Sequence, residues 1–395
     1  MKQLVISPSF PFSTHTFVTR EVAETLQRGH DVIILSPDNG DIQGQVSAKR
    51  FNIGPERVIY ADILKSPLFT LDWLRFTKRL RKAGQREEYG RMLAERRKSY
   101  FAHLLRHPLL QDIELIHAHF AGWAYTVALP LSELLGVPFT FTVHDSHLAQ
   151  HPSFHCKTLQ EKASAITFPS IAWRDFWLGK TNYEDRLHIL PNAVDIGDFC
   201  SPETPRMNSG ELRLITIGRL LPHKRIADGL HAVRRLLDLE VTCSYTVIGS
   251  GPEEAALRHL AQELGIAQRV TLLGAQPHGR VVSELQTNDI YLHPSEKESF
   301  GVAVIEAMSV SLPVVAAQSA GTQDTVVPGE TGQLYPPGDL DSLVQAVESL
   351  ARDTRLREAW GKAGRARVEQ LYSWNSHMVV LSTIWDQTLL SGKPT

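Results

Sequence analysis

The alternation of short apolar runs with helical patterns constrains the fold of this chain more than any other feature of its sequence. Apolar runs flanked by helical stretches are typical of β-α-β units around parallel sheets. They fall in two series, at residues 3–7, 31–35, 115–118, 139–143, 165–168 and 187–190, and at residues 212–217, 244–248, 270–273, 290–293 and 313–316. The sequence therefore predicts an α/β protein with two doubly wound domains and a cleft between them. Ligands of such domains bind beyond the carboxyl ends of the strands.

Length and composition agree with two globular domains. The 395 residues are too many for one ordinary core, and 43% are hydrophobic against 21% charged. A formal net charge of −2 gives no global argument for nucleic acid or for a membrane. No apolar stretch is long enough to span a bilayer, and the amino terminus reads as a first strand. The three cysteines lack zinc-ligand spacing and suit a reducing cytosol, so we expect a cytoplasmic protein.

The domain boundary is predicted near residues 195–209, where turn-forming residues show no periodicity. We expect a first domain over 1–195, a second over 196–372 and a final helix within 373–395. The final segment is amphipathic, with apolar side chains at helical spacing. The oligomeric state stays open.

The segment around Glu298 and Glu306 carries the strongest indication of function. Glu298 precedes a predicted helix and Glu306 lies inside it, about 8–10 Å further along. Between them Ser299, Phe300 and Gly301 form the helix start, where unpaired N–H groups and the helix dipole favour an anion. This spacing suits a diphosphate with a hydroxyl-bearing ring at each end, as in a nucleotide-sugar. The alternative is a solvated helix, but Glu306 lies in an apolar run where a carboxylate needs a partner.

Two cations follow a strand of the second series directly. Arg219 and Lys224 come after the run 212–217, so we expect them to neutralise a diphosphate without a metal ion. The alternative is a pair of surface cations, which are disfavoured near a helix start.

Gly249 and Gly251 form half of a G-x-G-x-x-G pattern, with Glu254 at the third position. They are compatible with a nucleotide approaching the backbone or with a tight strand-to-helix turn. A dehydrogenase is disfavoured, because residues 7–14 at the first strand lack the glycines of that fingerprint.

Histidines end two strands of the first series. His144, followed by Asp145, could bind sugar hydroxyls or assist a proton transfer, or it could be a structural histidine bonded to backbone. We expect His117 and His119 to lie on opposite faces of their strand, so that at most one points into the cleft.

The loop after the first strand contains Ser13 and Thr14. These are candidate acceptor or phosphate contacts, and a helix N-cap is an equally good role for either.

Two further patterns concern metals and membranes. Asp339-Leu340-Asp341 is formally a D-x-D metal tag, but it precedes an amphipathic helix and is typical of helix capping, so we expect no metal. Residues 65–106 contain twelve Lys or Arg against four Asp or Glu, with aromatic residues between them. This segment could dock on an anionic membrane surface or form ordinary solvated helices. Nucleic acid is not expected, because no recognition module accompanies the basic residues.

The segment 294–317 and five further motifs, which occur in the family's order, resemble the retaining family-4 glycosyltransferases, which have the GT-B fold. They are L-P-N-A-V-D at 190–195, G-R-L-L-P-H-K at 218–224, V-I-G-S-G-P-E at 247–253, the segment 294–317, and the pair H-A-H-F-A at 117–121 and F-T-V-H-D at 141–145. The last pair resembles the branch found in bacterial exopolysaccharide transferases. The resemblance implies two Rossmann-like domains facing across a cleft, with the last helix crossing back to the first domain.

The resemblance also implies roles for individual residues. Catalytic roles fall to His144, Glu298, Arg219 and Lys224. Donor-binding roles fall to Arg219, Lys224, Gly249, Gly251, Gly274, Ala275, Glu298, Ser299, Phe300, Gly301 and Glu306. Acceptor-binding roles fall to Ser13, Thr14, His119 and Asp145.

The activity implied is the retaining, metal-independent transfer of a hexose from a nucleotide-sugar, with a UDP-sugar favoured over a GDP-sugar. The acceptor would be a saccharide or a lipid-linked saccharide at the inner face of the cell membrane. Relatives often carry Gly-Gly and then Glu after the run 313–316, whereas this chain has S-A-G-T-Q-D with Asp324, which leaves the sugar open. The alternatives are transfer to a soluble small molecule, a sugar-nucleotide epimerase on the same fold, and a catalytically inactive scaffold.

Overall fold

The structure, a computed structural model, describes residues 1–12, 16–60, 101, 104–120, 123–144, 161–178, 184–202 and 210–391. The predicted site residues Ser13, Thr14 and Asp145 lie outside the described residues, as does most of the basic segment 65–106. The chain forms two compact units. The first comprises Met1–Phe168, Trp177–Leu190 and Met378–Thr395, and the second comprises Pro169–Phe176 and Pro191–His377.

Each unit is built on a parallel sheet. The first sheet contains β1 (Lys2–Ile6), β2 (Asp31–Ser36), β3 (Val58–Tyr60), β4 (Leu115–His119), β5 (Phe139–Thr142), β6 (Ala165–Phe168) and β7 (Leu187–Ile189). The second contains β8 (Leu212–Ile217), β9 (Cys243–Ile248), β10 (Val270–Leu272), β11 (Ile290–His293), β12 (Val314–Ala317) and β13 (Gly332–Tyr335). The strand orders are β3-β2-β1-β4-β5-β6-β7 and β10-β9-β8-β11-β12-β13.

Twelve helices alternate with these strands in the described part of the chain. They are α1 (Thr16–Gln27), α2 (Ile42–Arg50), α3 (Trp123–Leu135), α4 (Ile171–Leu178), α5 (Ile226–Asp238), α6 (Glu254–Glu263), α7 (His278–Thr287), α8 (Val302–Ser309), α9 (Ala320–Thr325), α10 (Leu340–Arg352), α11 (Thr354–Leu371) and α12 (Trp374–Leu390). The predicted Rossmann-like, doubly wound architecture is confirmed.

The order of the strands reverses once in each sheet. In the first sheet β1 pairs with β2 on one side and with β4 on the other. In the second sheet β8 pairs with β9 and with β11 in the same way. A crevice opens beyond the carboxyl ends of the strands at such a reversal, because successive helices pack on opposite faces of the sheet. The residues that follow β1, β4, β8 and β11 are therefore placed to meet a ligand.

All eleven predicted strands are present, and two further strands were not predicted. The missed strands, β3 and β13, are the outermost strands of their sheets and have three and four residues. Edge strands are paired on one side only and need no continuous apolar run, so they leave a weaker pattern in the sequence than central strands.

The D-x-D pattern caps a helix, as predicted. Asp339 is the N-cap of α10, and its carboxylate accepts the backbone N–H of Ser342 at 3.0 Å. Asp341, in the first turn, forms an ion pair with Arg235. Both carboxylates thus have structural partners within the second unit.

The last helix packs on the first sheet. Met378, Leu381 and Trp385 of α12 form a buried cluster with Leu115 of β4 and Leu190. This confirms that the carboxyl-terminal helix returns to the first unit. In the described part of the chain, no helix combines the length and the apolar character that crossing a membrane requires.

Replacing Trp385 with alanine tests how strongly α12 is attached. Trp385 is 1% exposed, so we expect the substitution to lower the free energy of unfolding by about 3–5 kcal/mol. Leu390 lies on the same helix and is 87% exposed, so Leu390→Ala should change it by less than about 0.5 kcal/mol. Urea denaturation of both variants measures the difference, and equal losses would contradict this packing.

Candidate active site

A partly buried ion pair joins the two loops that follow β8 and β11. The Nζ atom of Lys224 donates to Oε2 of Glu298 at 2.6 Å. The Nε2 atom of His293, the last residue of β11, lies 3.3 Å from the same oxygen. The two loops meet because β8 and β11 are neighbours at the point where the strand order reverses.

These two partners keep Glu298 ionised. Burial alone would raise the pKa of Glu298, but His293 and Lys224 outweigh it and lower the pKa to about 2. Among the described residues no hydrogen bond or ion pair reaches Oε1, so this oxygen remains available to a ligand hydroxyl. Glu298 is therefore a carboxylate with one oxygen held by Lys224 and His293 and the other open.

Arg219 supplies a second positive charge to the same loop. Its side chain is exposed and makes no hydrogen bond or ion pair with the described residues. The pKa of the neighbouring His223 is lowered by burial and then by the charges of Lys224 and Arg219. A positive potential that discourages protonation of a histidine is one that favours a bound anion.

Backbone contacts hold the site loops together. The N–H of Glu296 donates to the carbonyl of His223 at 3.1 Å, and the N–H of Gly321 donates to the carbonyl of Glu298 at 2.8 Å. A Cβ atom at Gly321 would lie 2.3 Å from the backbone of Phe300. Position 321 therefore needs glycine so that the start of α9 can support the Glu298 loop.

The pair of Gly249 and Gly251 also serves close backbone packing. A Cβ atom would lie 1.8 Å from the carbonyl oxygen of Gly218 at position 249, and 2.3 Å from that of Leu220 at position 251. Gly249 also has a φ of +143°, which favours glycine. Of the two interpretations of this motif, the tight strand-to-helix turn is present, and it braces the loop that carries Arg219.

Glu306 differs from Glu298 in having no partner. It lies in α8, which begins after Gly301, a residue with a φ of +91°. Its carboxylate is half-buried and makes no hydrogen bond or ion pair with the described residues, and burial raises its pKa to about 7. The apolar residues around Glu306 thus provide no hydrogen bond or opposite charge that would offset the desolvation of its carboxylate. The carboxylate is therefore available to a ligand.

The remaining predicted donor contacts are backbone positions. Phe300 is buried and packs edge-on against Tyr372 at 5.4 Å, so only its main chain faces the helix start. The carbonyl of Gly274 accepts the N–H of Gly249 at 2.9 Å, directly before Ala275. No side chain in this group is placed to read a nucleotide base.

Asp324, at the departure from the family pattern, has a partner within the second unit. Its carboxylate accepts the backbone N–H of Ile171 at the start of α4. Burial is the main reason that its pKa is raised. The side chain therefore has a structural role in this chain.

A second cluster lies in the first unit, at the carboxyl end of β4. His117 and His119 are both fully buried, and their rings are 4.8 Å apart. Both Nε2 atoms approach Oε1 of Glu21 on α1, at 3.5 and 3.2 Å. The prediction that the two histidines lie on opposite faces was wrong, because residues two apart in a strand share a face.

His144 joins this cluster from the neighbouring strand. Its Nε2 atom lies 3.1 Å from Nδ1 of His119, and the two rings stack at 5.3 Å. His144 is half-buried, whereas His119 has no exposed surface. His144 is therefore the member of the pair that can meet a ligand, with His119 behind it.

Sequence reasoning missed two residues of these clusters. His293 is the last residue of its strand, and His144 comes shortly after the end of its strand. A histidine at the carboxyl end of a parallel strand was therefore the signal in the sequence that could have identified His293. Glu21 lies on the buried face of α1 between Val18 and Val22. A carboxylate at a core position of an amphipathic helix is itself an indication of a polar partner.

Comparison with known families accounts for nearly the whole chain. A model described as Glycosyltransferase Family 4 matches residues 15–198, and a model described as Glycosyl transferases group 1 matches residues 201–367. The chain belongs to the family-4 glycosyltransferases. The resemblance to family-4 glycosyltransferases found in the sequence is thereby confirmed.

Two relatives illustrate the range of the family. The chain is 23% identical to the putative colanic acid biosynthesis glycosyltransferase WcaL of Escherichia coli K12, over 91% of this chain and 93% of WcaL. It is 28% identical to sulfoquinovosyl transferase SQD2 of Arabidopsis thaliana, over 67% of this chain. The match spans only 54% of the length of SQD2.

Solved structures share the fold of this family-4 chain. The structure of Anabaena HepE in complex with UDP and glucose has a TM-score of 0.74 at 18% identity, with 99% of both chains covered. Sucrose-phosphate synthase from Thermosynechococcus elongatus has a TM-score of 0.73 at 20% identity, covering 99% of this chain and 100% of its own. These likenesses confirm the GT-B fold.

The raised pKa of Glu306 predicts a pH-dependent cost to stability. The folded chain keeps this proton up to a pKa of about 7, whereas the unfolded chain releases it near the ordinary glutamate pKa of 4.5. The contribution of the protonated Glu306 to the free energy of unfolding is therefore complete below pH 4.5 and is lost as the pH rises through 7. Since glutamine cannot ionise, Glu306→Gln should be more stable than the unsubstituted protein at pH 8 by on the order of 3 kcal/mol, with a smaller gap at about pH 5.

Urea denaturation at the two pH values measures this gap. Glu330 is an exposed glutamate in a turn, so Glu330→Gln is the matched control and should show no pH-dependent gap. A gap for Glu306→Gln that does not grow with pH would contradict the assignment.

Proposed function

We propose that the protein transfers a hexose from a nucleoside-diphosphate sugar to a hydroxyl group of a saccharide, with retention of anomeric configuration and without a metal at the diphosphate. The observation that carries this proposal is the arrangement around Glu298. This carboxylate is held ionised by Lys224 and His293. Arg219 lies in the same pair of loops and Glu306 in the helix α8 that follows, and neither side chain has a partner among the described residues.

Each part of the donor has a matching group. Arg219 and Lys224 provide the charge that a diphosphate requires, with the backbone of 299–301 at the start of α8 completing its site. Oε1 of Glu298 accepts from hydroxyls of the sugar. Glu306 accepts from the ribose hydroxyls, which offsets the cost of ionising it in a half-buried position.

The state of Glu298 supports retention through the donor's own phosphate. A carboxylate with a pKa of about 2 is a poor base at neutral pH, and an oxygen paired with two cationic groups is a poor nucleophile. The acceptor oxygen would therefore attack the anomeric carbon from the face that the diphosphate leaves. The bond between the anomeric carbon and the diphosphate breaks, the new glycosidic bond forms, and the acceptor proton passes to the departing diphosphate oxygen.

A uridine nucleotide and a cell-surface glycan are the proposed substrates. The structure of Anabaena HepE holds UDP and glucose, which supports a UDP-hexose donor for a chain of the same fold. The match to a putative colanic acid transferase over 91% of this chain supports a role in exopolysaccharide synthesis. The acceptor would then be a saccharide, lipid-linked in the exopolysaccharide case, and the protein would act in the cytoplasm at the inner membrane face.

Substitutions in the donor site should separate binding from turnover. Arg219→Ala and Glu306→Ala each remove one charge-assisted contact and should weaken nucleotide binding by about ten- to a hundredfold. Glu298→Ala should mainly lower kcat, since its hydroxyl contacts orient the reacting sugar. Calorimetry with UDP measures the affinities. The matched control is Arg355→Ala, since Arg355 is exposed and forms no ion pair within the described part of the chain. An unchanged affinity in Arg219→Ala would show that the diphosphate binds elsewhere.

A sugar-nucleotide epimerase would use the same histidines and carboxylates. Incubation with a nucleotide-sugar and no acceptor distinguishes the two activities: an epimerase converts the donor sugar, whereas a transferase gives at most slow hydrolysis. Epimerised donor would overturn the proposal. The absence of turnover with every donor and acceptor tried, with UDP still bound, would indicate an inactive module.

The basic segment 65–106 gives a test of membrane docking. Each basic residue near an anionic surface adds about 1 kcal/mol, and the effect fades within a Debye length. We expect sedimentation with anionic vesicles at low salt. High salt should weaken this binding, as should changing Lys78, Arg79, Arg81 and Lys82 to glutamate. Equal binding to neutral and anionic vesicles, or none to either, would favour a soluble acceptor.

A further inference from the structure

We propose that Glu21, His117 and His119 of the first unit bind one Zn²⁺ ion. Their ligand atoms all lie within 4.8 Å of one another, and all three residues are buried. Among the described residues they are the one such group of histidine and carboxylate ligands. This departs from the expectation that no metal is bound, and it does not depend on the proposed transfer reaction.

The separations between the ligand atoms fit tetrahedral coordination. Oε1 of Glu21 lies 3.2 Å from Nε2 of His119 and 3.5 Å from Nε2 of His117. Zinc bonds of about 2.0–2.1 Å to nitrogen and oxygen place neighbouring ligands of a tetrahedron about 3.3 Å apart. Each histidine nitrogen can therefore share an ion with the carboxylate oxygen with little movement, and all three ligand atoms lie within 4.8 Å of one another.

The Nε2 atom of His119 is the strongest local indication of a ligand. Among the residues that the structure describes, it has no hydrogen-bond partner and is inaccessible to solvent, since its contact with Glu21 lacks hydrogen-bond geometry. A buried polar atom in this state costs free energy, and native structures rarely leave one unsatisfied. Binding to a metal ion would satisfy the Nε2 atom of His119, because the lone pairs of the ligands would then point at the ion and not at one another.

Neighbouring hydroxyls indicate that His117 also presents a lone pair. Its Nδ1 lies 2.8 Å from Oγ1 of Thr140, and its Nε2 lies 3.2 Å from Oγ1 of Thr142. Thr167 donates to Oγ1 of Thr142 at 2.7 Å, so the hydrogen of Thr142 is available to point at Nε2 of His117. His117 then keeps its proton on Nδ1, and the one lone pair on its Nε2 accepts the hydrogen of Thr142 when no metal is bound. An ion beside Glu21 would take that lone pair in place of the Thr142 hydroxyl.

Partners of the outer nitrogens complete the arrangement. Metal-bound histidines usually place the other ring nitrogen against a hydrogen-bonding group, which fixes the tautomer. His117 has Thr140 in this position, and His119 has Nε2 of His144 at 3.1 Å from its Nδ1. With Nε2 on the ion, His119 carries its proton on Nδ1 and donates it to His144. The ion would thereby set the orientation of His144, which makes Glu21 a positioning residue.

Metal content of the full chain tests the site. The tag-free protein is stripped with a chelator, given Zn²⁺, desalted and analysed by elemental mass spectrometry. We expect about one Zn²⁺ per chain, and several-fold less in Glu21→Gln and His119→Asn. The matched control is His259→Gln, which removes an exposed histidine that lies 3.5 Å from Glu263. It should bind as much Zn²⁺ as the unsubstituted protein.

Cobalt provides a readout that needs no variant. Co²⁺ added to the stripped protein should give the visible absorption bands of tetrahedral coordination, and Zn²⁺ should remove them. Circular dichroism establishes that the variants are folded. If the unsubstituted protein retains no more Zn²⁺ than folded Glu21→Gln, or if cobalt keeps the weak spectrum of its hydrated ion, the proposal is overturned. The three side chains then form a hydrogen-bonded cluster only.

Discussion

The parallel arrangement of every strand determines where chemistry can occur in this chain. Parallel strands bring all their carboxyl ends to one edge of the sheet. The strand order reverses at β8, so a crevice opens there beside the loops that follow β8 and β11. Lys224 and Glu298 are 74 residues apart in the sequence, yet they meet at 2.6 Å because their loops leave these two neighbouring strands. The first unit repeats the plan, with the histidines that end β4 placed beside the reversal between β1 and β4.

The two carboxylates of the second unit show how burial can give opposite results. Both experience desolvation, which favours the neutral acid. Lys224 and His293 reverse this at Glu298 and bring its pKa to about 2, whereas Glu306 has no such partner and its pKa rises to about 7. One carboxylate is thus held ready as an anion, and the other becomes one when a ligand supplies the hydrogen bonds. In the free protein, a site for a polar ligand therefore contains a carboxylate whose ionisation costs free energy until the ligand binds.

The sequence predicts those parts of this arrangement that depend on local patterns. Apolar runs reveal the central strands, the acidic residue before an amphipathic helix reveals the cap at Asp339, and the turn before α8 reveals the position of Glu298. Contacts between distant segments leave no such pattern. The approach of His293 to Glu298 and the glycine required at position 321 depend on which strands become neighbours. The shared face of His117 and His119 was predictable from the strand period, so that error was one of reasoning.

A crystal structure of the protein with UDP would test the placement of the donor most directly. We expect the diphosphate to contact the guanidinium of Arg219, the ammonium of Lys224 and the backbone N–H groups at 299–301, with the ribose hydroxyls on Glu306. In that complex Glu306 should be ionised, because the ribose hydroxyls donate to it. A diphosphate bound away from Arg219 and Lys224, or a ribose that leaves Glu306 without a partner, would contradict this assignment of the site.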